Sequence, residues 1–192
     1  NDKALMKFIS SANIACGYHA GDIDTIKSTI AYCVENGVAI GAHPGFNDKA
    51  NFGRTEMQLS DCELYDLVAE QITLMQDTCK EMGASLHHVK PHGALYNMAA
   101  KNATMSYIIA GVIKELDSQL ILYGLSNSYM IAEARALNIK TASEVFADRT
   151  YNAEGHLTPR SQPNAIIHTT ENALAQVLKM IEHKTSTPER RG

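Results

Sequence analysis

Apolar positions along the chain fall alternately into short continuous runs and longer stretches of helical period. The first run, SANIAC at 11–16, predicts a strand. Asp22 then precedes Ile23, Ile26, Ile30, Cys33 and Val34, which share one helical face. Gly37 ends that helix, because glycine readily takes the left-handed turn just past a helix terminus. VAIGAH, 38–43, predicts the second strand. Ser60 and Glu63 have the S-x-x-E spacing of a capping box. They open a long helix whose apolar side carries Leu64, Leu67, Val68, Ile72, Met75, Cys79 and Met82, with Gly83 as its stop. LHHVKPH, 86–92, reads as the third strand. A helix over 103–116, a strand over 120–125 and a helix ending near Leu137 follow. Then come a strand over 140–147, a polar loop to about residue 168, and a last helix with Leu174, Val177, Leu178 and Ile181.

Strand–helix units in strict succession imply parallel strands joined by crossover helices. Runs that are continuous rather than alternating fit strands covered on both faces. Both a doubly wound sheet and a TIM-like barrel satisfy the pattern. A full barrel takes about 250 residues, so 192 residues predict an incomplete or irregular one, forming a single domain over 1–192. No internal repeat interrupts it, and the tail 184–192 is expected to fray.

Composition narrows the function classes. Apolar content of 45% and charged content of 20% are ordinary for a globular domain, and a net charge of -4 supplies no basic field for nucleic acid or an anionic membrane. No apolar run is long enough to span a bilayer, and no segment resembles a signal peptide. Cys16, Cys33, Cys62 and Cys79 form no C-x-x-C pair, and Cys33 and Cys79 lie on apolar helix faces. A disulfide framework or thiolate metal site is therefore not expected, and a reducing cytoplasm fits.

In both architectures ligands bind at the carboxyl ends of the strands, and the reactive groups sort to that end. CGYHAGD carries His19 and Asp22 after the first strand, and AHPGFND carries His43 and Asp48 after the second, with Arg54 further on. The third strand ends in Lys90 and His92, followed by Tyr96 and Asn97, which also read as ordinary loop contacts. The last strand ends in Glu144, Asp148 and Arg149, with Tyr151 and Arg160 in the following loop. Asp22 is explained by helix capping alone, and His87 and His88 by packing. His19, His43 and His92 are harder to dismiss, since each follows a different strand with Gly21, Gly45 or Gly93 close behind. GxSxG, GxxxxGK[ST], GxGxxG and HExxH are all absent. A lysine between His88 and His92 on one strand face favours an anionic ligand over a tightly held cation. A metal shared by His19, His43 and His92 is the weaker reading.

SANIACGYHAGD, VAIGAHPGFND, HVKPHGALYN, TASEVFADRTY and RSQPNAII, in this order, resemble the signature blocks of the LamB/YcsF family across nearly the whole chain. The resemblance implies an irregular TIM-like β/α barrel of the glycoside hydrolase/deacetylase superfamily. It implies ATP-dependent opening of 5-oxoproline to glutamate, with ATP and its magnesium counter-ion, together with 5-oxoprolinase subunits B and C. On that reading His19, His43 and His92 transfer protons, and Asp48, Glu144 and Asp148 orient them or the attacking water. Lys90, Arg149 and Arg160, with Tyr96 and Asn97, hold the small anionic substrate. A protein-bound metal and homo-oligomerisation stay open. Family members open with a strand close to Asp-Leu-Asn-Cys-Asp-Leu-Gly-Glu and close with one past the last helix. Neither is in this sequence, so the barrel is expected to look open. The alternatives are a metal-dependent deacetylase or amidohydrolase, and a non-catalytic subunit that binds 5-oxoproline.

Overall fold

A computed structural model describes residues 2–183; the tail expected to fray lies outside the described residues. The chain divides into two compact units, one of residues 1–124 with 128–142 and one of 125–127 with 143–192.

The five strands are β1 (Ser11–Ala15), β2 (Ala39–His43), β3 (Leu86–Val89), β4 (Ile121–Leu125) and β5 (Thr141–Glu144), and they form one sheet in the order β1-β2-β3-β4-β5. The pairs β1–β2, β2–β3 and β3–β4 are parallel. The helices are α1 (Asp2–Leu5), α2 (Ile23–Asn36), α3 (Asp61–Glu81), α4 (Gly93–Ala99), α5 (Ala103–Asp117), α6 (Tyr129–Ala136) and α7 (Thr170–His183). Local chemistry explains their limits. The Asp22 carboxylate caps α2 through Thr25 N–H, and Gly37 ends it in the left-handed region at φ 66°. Ser60 and Glu63 close the reciprocal capping box on α3.

The first unit's core follows the predicted apolar faces in most positions, but Ile23 and Val34 of α2, expected on its buried face, are exposed. Ile26, Ile30 and Cys33 of α2, Leu64, Val68, Ile72, Met75 and Cys79 of α3, and Ile109, Val112 and Ile113 of α5 are buried. Each large aliphatic among them contributes about 1.5–3 kcal/mol by leaving water. In the second unit the loop after β5 is held by bridges Arg149–Ile166 and Tyr151–Leu157. Gln176 of α7 donates to the carbonyls of Phe146 and Arg149. Of the apolar stripe on α7, Leu174, Leu178 and Ile181 are exposed.

Two local differences from the sequence reading bear on the site. The third strand is assigned only to Val89, yet its pairing continues. Lys90 N–H donates to Ala42 O at 2.9 Å and His92 N–H to Pro44 O at 2.8 Å. The segment after it, expected to be loop, is helix α4, with His92 as its N-cap residue.

Candidate active site

Continuation of the β2–β3 ladder past the strand ends sets His92 beside His43. His92 Nδ1 lies 3.0 Å from His43 Nε2. His19, arriving from the loop after β1, stacks on His92 with ring centroids 3.9 Å apart and planes 6° from parallel. His19 and His43 meet edge to face at 5.8 Å. Three histidines that follow three neighbouring strands thus form one cluster.

The outer hydrogen bonds of the pair fix its tautomers. A carbonyl only accepts, so His43 Nδ1, 2.5 Å from Lys90 O, carries a proton. By the same rule His92 Nε2 donates to Phe52 O at 2.8 Å. The two inner nitrogens of the neutral rings are then both acceptors. At 3.0 Å they confront each other with lone pairs and have room for one shared proton. Burial opposes that proton. It holds His43 down to about 3, with the charges of His92 and Lys90 adding to the effect. His92 is also lowered, chiefly by burial and further by Arg54 and Lys90. Geometry thus offers a shared proton a place that burial and the neighbouring positive charges oppose.

His19 completes the cluster differently. It is buried, with 2% exposure, and its Nδ1 has no hydrogen-bonding partner. An unmet buried polar atom costs roughly 1–3 kcal/mol and calls for an explanation. Burial, with a contribution from His92, lowers this imidazole to about 4.

The loop between β2 and α3 forms the cluster's third wall. Phe52 sits at φ 55°, a left-handed conformation unusual for a bulky residue, and that turn aims its carbonyl at His92. Its ring stands edge to face against both His19 and His92. Gly53 behind it must be glycine: its φ is 65°, and a β-carbon would come within 2.8 Å of His19 Cβ and 3.0 Å of His92 Cδ2. Asp48, expected near the chemistry, organises this loop. One carboxylate oxygen accepts from Asn51 N–H and Asn51 Nδ2, the other from Thr55 N–H. Those bonds to Thr55 and Asn51 hold its carboxyl below its ordinary range.

Two cations attend the site. Lys90 places its ammonium 5.9 Å from the Tyr96 ring centre, and Arg54 its guanidinium 5.2 Å from the Phe52 ring centre. Tyr96 is buried on α4, while Asn97 on the same helix is exposed.

Glu144, Asp148, Arg149 and Arg160 belong to the second unit. Arg149 is buried and holds the loop it sits in, donating from Nε to Ala165 O at 3.2 Å and from Nη2 to Thr158 O at 2.7 Å. Asp148 and Arg160 are exposed, and Glu144 is half-buried.

His88 is wholly buried and stacks on Tyr123 at 4.2 Å. Its Nε2 donates to Asn13 Oδ1 at 2.9 Å, across Gly41. Among the described residues no group of three or more His, Cys, Asp or Glu side chains is arranged to hold a metal ion. The histidine pair converges only two nitrogens, its other two being bound to carbonyls.

Sequence reasoning missed Phe52, whose contribution is a carbonyl, and Gln71 of α3, whose side chain binds the Gly45 backbone. The signal for Gln71 was present: it lies seven residues after Leu64 and four before Met75, on the helix's apolar side.

A parallel β/α sheet with its polar cluster past the carboxyl ends of adjacent strands defines a protein of the TIM-like β/α class. More narrowly, the chain matches the LamB/YcsF family over residues 1–190 and belongs to it. It is 50% identical over 190 residues to a protein of Bordetella pertussis (strain Tohama I) named as the A subunit of 5-oxoprolinase, covering 98% of this chain and 75% of that one. The 5-oxoprolinase A subunit of Shouchella clausii is 51% identical over 182 residues, covering 95% of this chain and 72% of the relative. Among solved structures, the lactam utilization protein from Thermus thermophilus superposes with a TM-score of 0.87 at 40% identity, covering 94% of this chain and 73% of that one.

Proposed function

We propose that this chain is the A subunit of an ATP-dependent 5-oxoprolinase and takes part in opening 5-oxo-L-proline to L-glutamate. The names of its relatives support the substrate and the existence of further subunits. The observation that carries the reading is the His43–His92 pair, with two lone pairs 3.0 Å apart beneath two cationic side chains.

Lys90 and Arg54 hold the carboxylate of the lactam. Negative charge brought next to the pair offsets the burial that keeps it neutral, so its affinity for a proton rises when the substrate arrives. The pair then takes a proton from water as the oxygen adds to the lactam carbonyl carbon. When the carbon–nitrogen bond breaks, the same proton passes to the departing ring nitrogen, leaving the amine and carboxylate of glutamate. ATP, when bound, would activate the amide oxygen by phosphorylating it, with inorganic phosphate leaving as the product carboxylate forms. That activation belongs to the complex assembled with subunits B and C, and none of the steps above runs through it.

The test is His92→Ala assayed in the complex reconstituted with its partners. Loss of the base lowers turnover about a hundredfold or more, while 5-oxoproline still binds. Wild-type turnover by this variant rejects the catalytic role and favours a subunit that only binds the lactam.

A further inference from the structure

Gln71 is a polar side chain with no exposure at all, set among the apolar residues of α3. Its Oε1 accepts from Gly45 N–H at 3.0 Å, and its Nε2 donates to Gly45 O and to Leu67 O, both at 2.9 Å. One side chain thus takes both main-chain polar groups of a single glycine, as a neighbouring strand would.

That glycine touches all three histidine segments. It follows His43 by two residues, and the carbonyl just before it, Pro44 O, accepts from His92 N–H. A β-carbon on Gly45 would come 2.7 Å from His19 Nδ1, so its backbone forms the wall against that atom. The same nitrogen is buried without a partner. Neighbouring Glu70 accepts the hydroxyl proton of Tyr18, the residue before His19, so adjacent positions of α3 tie down both loops.

We propose that Gln71 is a positioning residue of the histidine cluster. By occupying Gly45 N–H and C=O together, it withholds both from His19 and keeps Nδ1 ready for a ligand rather than bound to the protein. The proposal rests on the catalytic reading of the histidines, but it concerns a residue that no motif marks. With the amide gone, the Gly45 peptide is released to turn toward the imidazole, and His19 loses both its open nitrogen and its fixed distance from His92.

The test uses the full chain with Gln71→Met, similar in length but unable to make these bonds, and Gln71→Glu. Nitrogen-detected NMR of the imidazoles reads the hydrogen bonding of His19 Nδ1 directly, with His19→Gln to assign the signal. In the wild type this nitrogen reports no hydrogen bond. In Gln71→Met it shifts to a bonded value, and in the reconstituted complex kcat falls about tenfold or more, since small misplacements of reacting groups are costly. A protonated carboxyl can accept from Gly45 N–H and donate its one proton to Gly45 O, giving up only the bond to Leu67 O, whereas a carboxylate cannot donate to Gly45 O. Gln71→Glu therefore regains the wild-type His19 signal as pH is lowered through the introduced carboxyl's titration, which a merely space-filling role does not produce. An unchanged His19 signal in folded Gln71→Met overturns the proposal. Should that variant fail to fold, the return of signal in Gln71→Glu decides alone, and its absence is equally fatal. A shifted signal with unimpaired turnover supports the positioning role and counts instead against the catalytic reading of His19.

Discussion

Replacing Gly41 with alanine adds one methyl group at the centre of the sheet, where the structure leaves no room for it. Gly41 lies between Asn13 on β1 and His88 on β3, and the His88 ring passes over its α-carbon to reach Asn13. A β-carbon there would sit 2.0 Å from His88 Nε2 and 2.5 Å or less from its two neighbouring ring carbons. The ring must move by more than an ångström, yet it is fully buried and stacked on Tyr123 at 4.2 Å. Overpacking of this kind costs about 1–3 kcal/mol. The broken bond to Asn13 leaves a buried polar nitrogen unmet, a further cost of roughly 1–3 kcal/mol. Gly41→Ala should therefore lose about 2–6 kcal/mol, read as a fall in the urea midpoint at pH 7.5. In a His88→Ala background the same methyl enters vacated space, so its cost should nearly vanish and the double-mutant cycle should show strong coupling. A Gly41→Ala protein within about 0.5 kcal/mol of wild type, or equal costs in both backgrounds, would refute the claim that His88 is a packed structural element.

Three further outcomes are expected. Stability should fall as pH drops from about 6.5 toward 4. Burial holds His88 and His19 near 4, so below its ordinary value of 6.5 each histidine of the unfolded chain binds a proton that the native one refuses. For His88 alone the slope is up to about 1.4 kcal/mol per pH unit; a urea midpoint that stays flat between pH 7.5 and 5 contradicts it. Lys90→Met should weaken 5-oxoproline binding by about 1.5–3 kcal/mol, the worth of a charged hydrogen bond, and calorimetry showing unaltered affinity removes Lys90 from the carboxylate site. The purified chain alone should not hydrolyse 5-oxoproline with or without ATP, and turnover without partners would promote the amidohydrolase alternative.

What the sequence made legible, and what it concealed, follows from which interactions depend on side-chain identity. Asp22, Gly37, Ser60 and Glu63 marked helix ends because capping requires those residue types, and they cap as expected. His19, His43 and His92 could be brought together on paper because parallel strands align their carboxyl ends, and the structure places them in contact. His88 was explained by packing, and it is wholly buried against Tyr123. Helix α4 escaped notice because GALYNMA begins with glycine and has only seven residues, too few for a period to show. The protonation of the cluster was beyond any sequence reading. The proton positions on His43 and His92 are set by the carbonyls of Lys90 and Phe52, and every residue has the same carbonyl. Only the left-handed turn at Phe52 aims one of them at His92, and that turn is flanked by the backbone amides of Asn51 and Thr55, both held by the Asp48 carboxylate. Asp48 thus shapes the loop whose carbonyl fixes an imidazole tautomer. The general lesson is one of reach. Residue types at a site can be read from a sequence, but which nitrogen carries the proton depends on backbone direction.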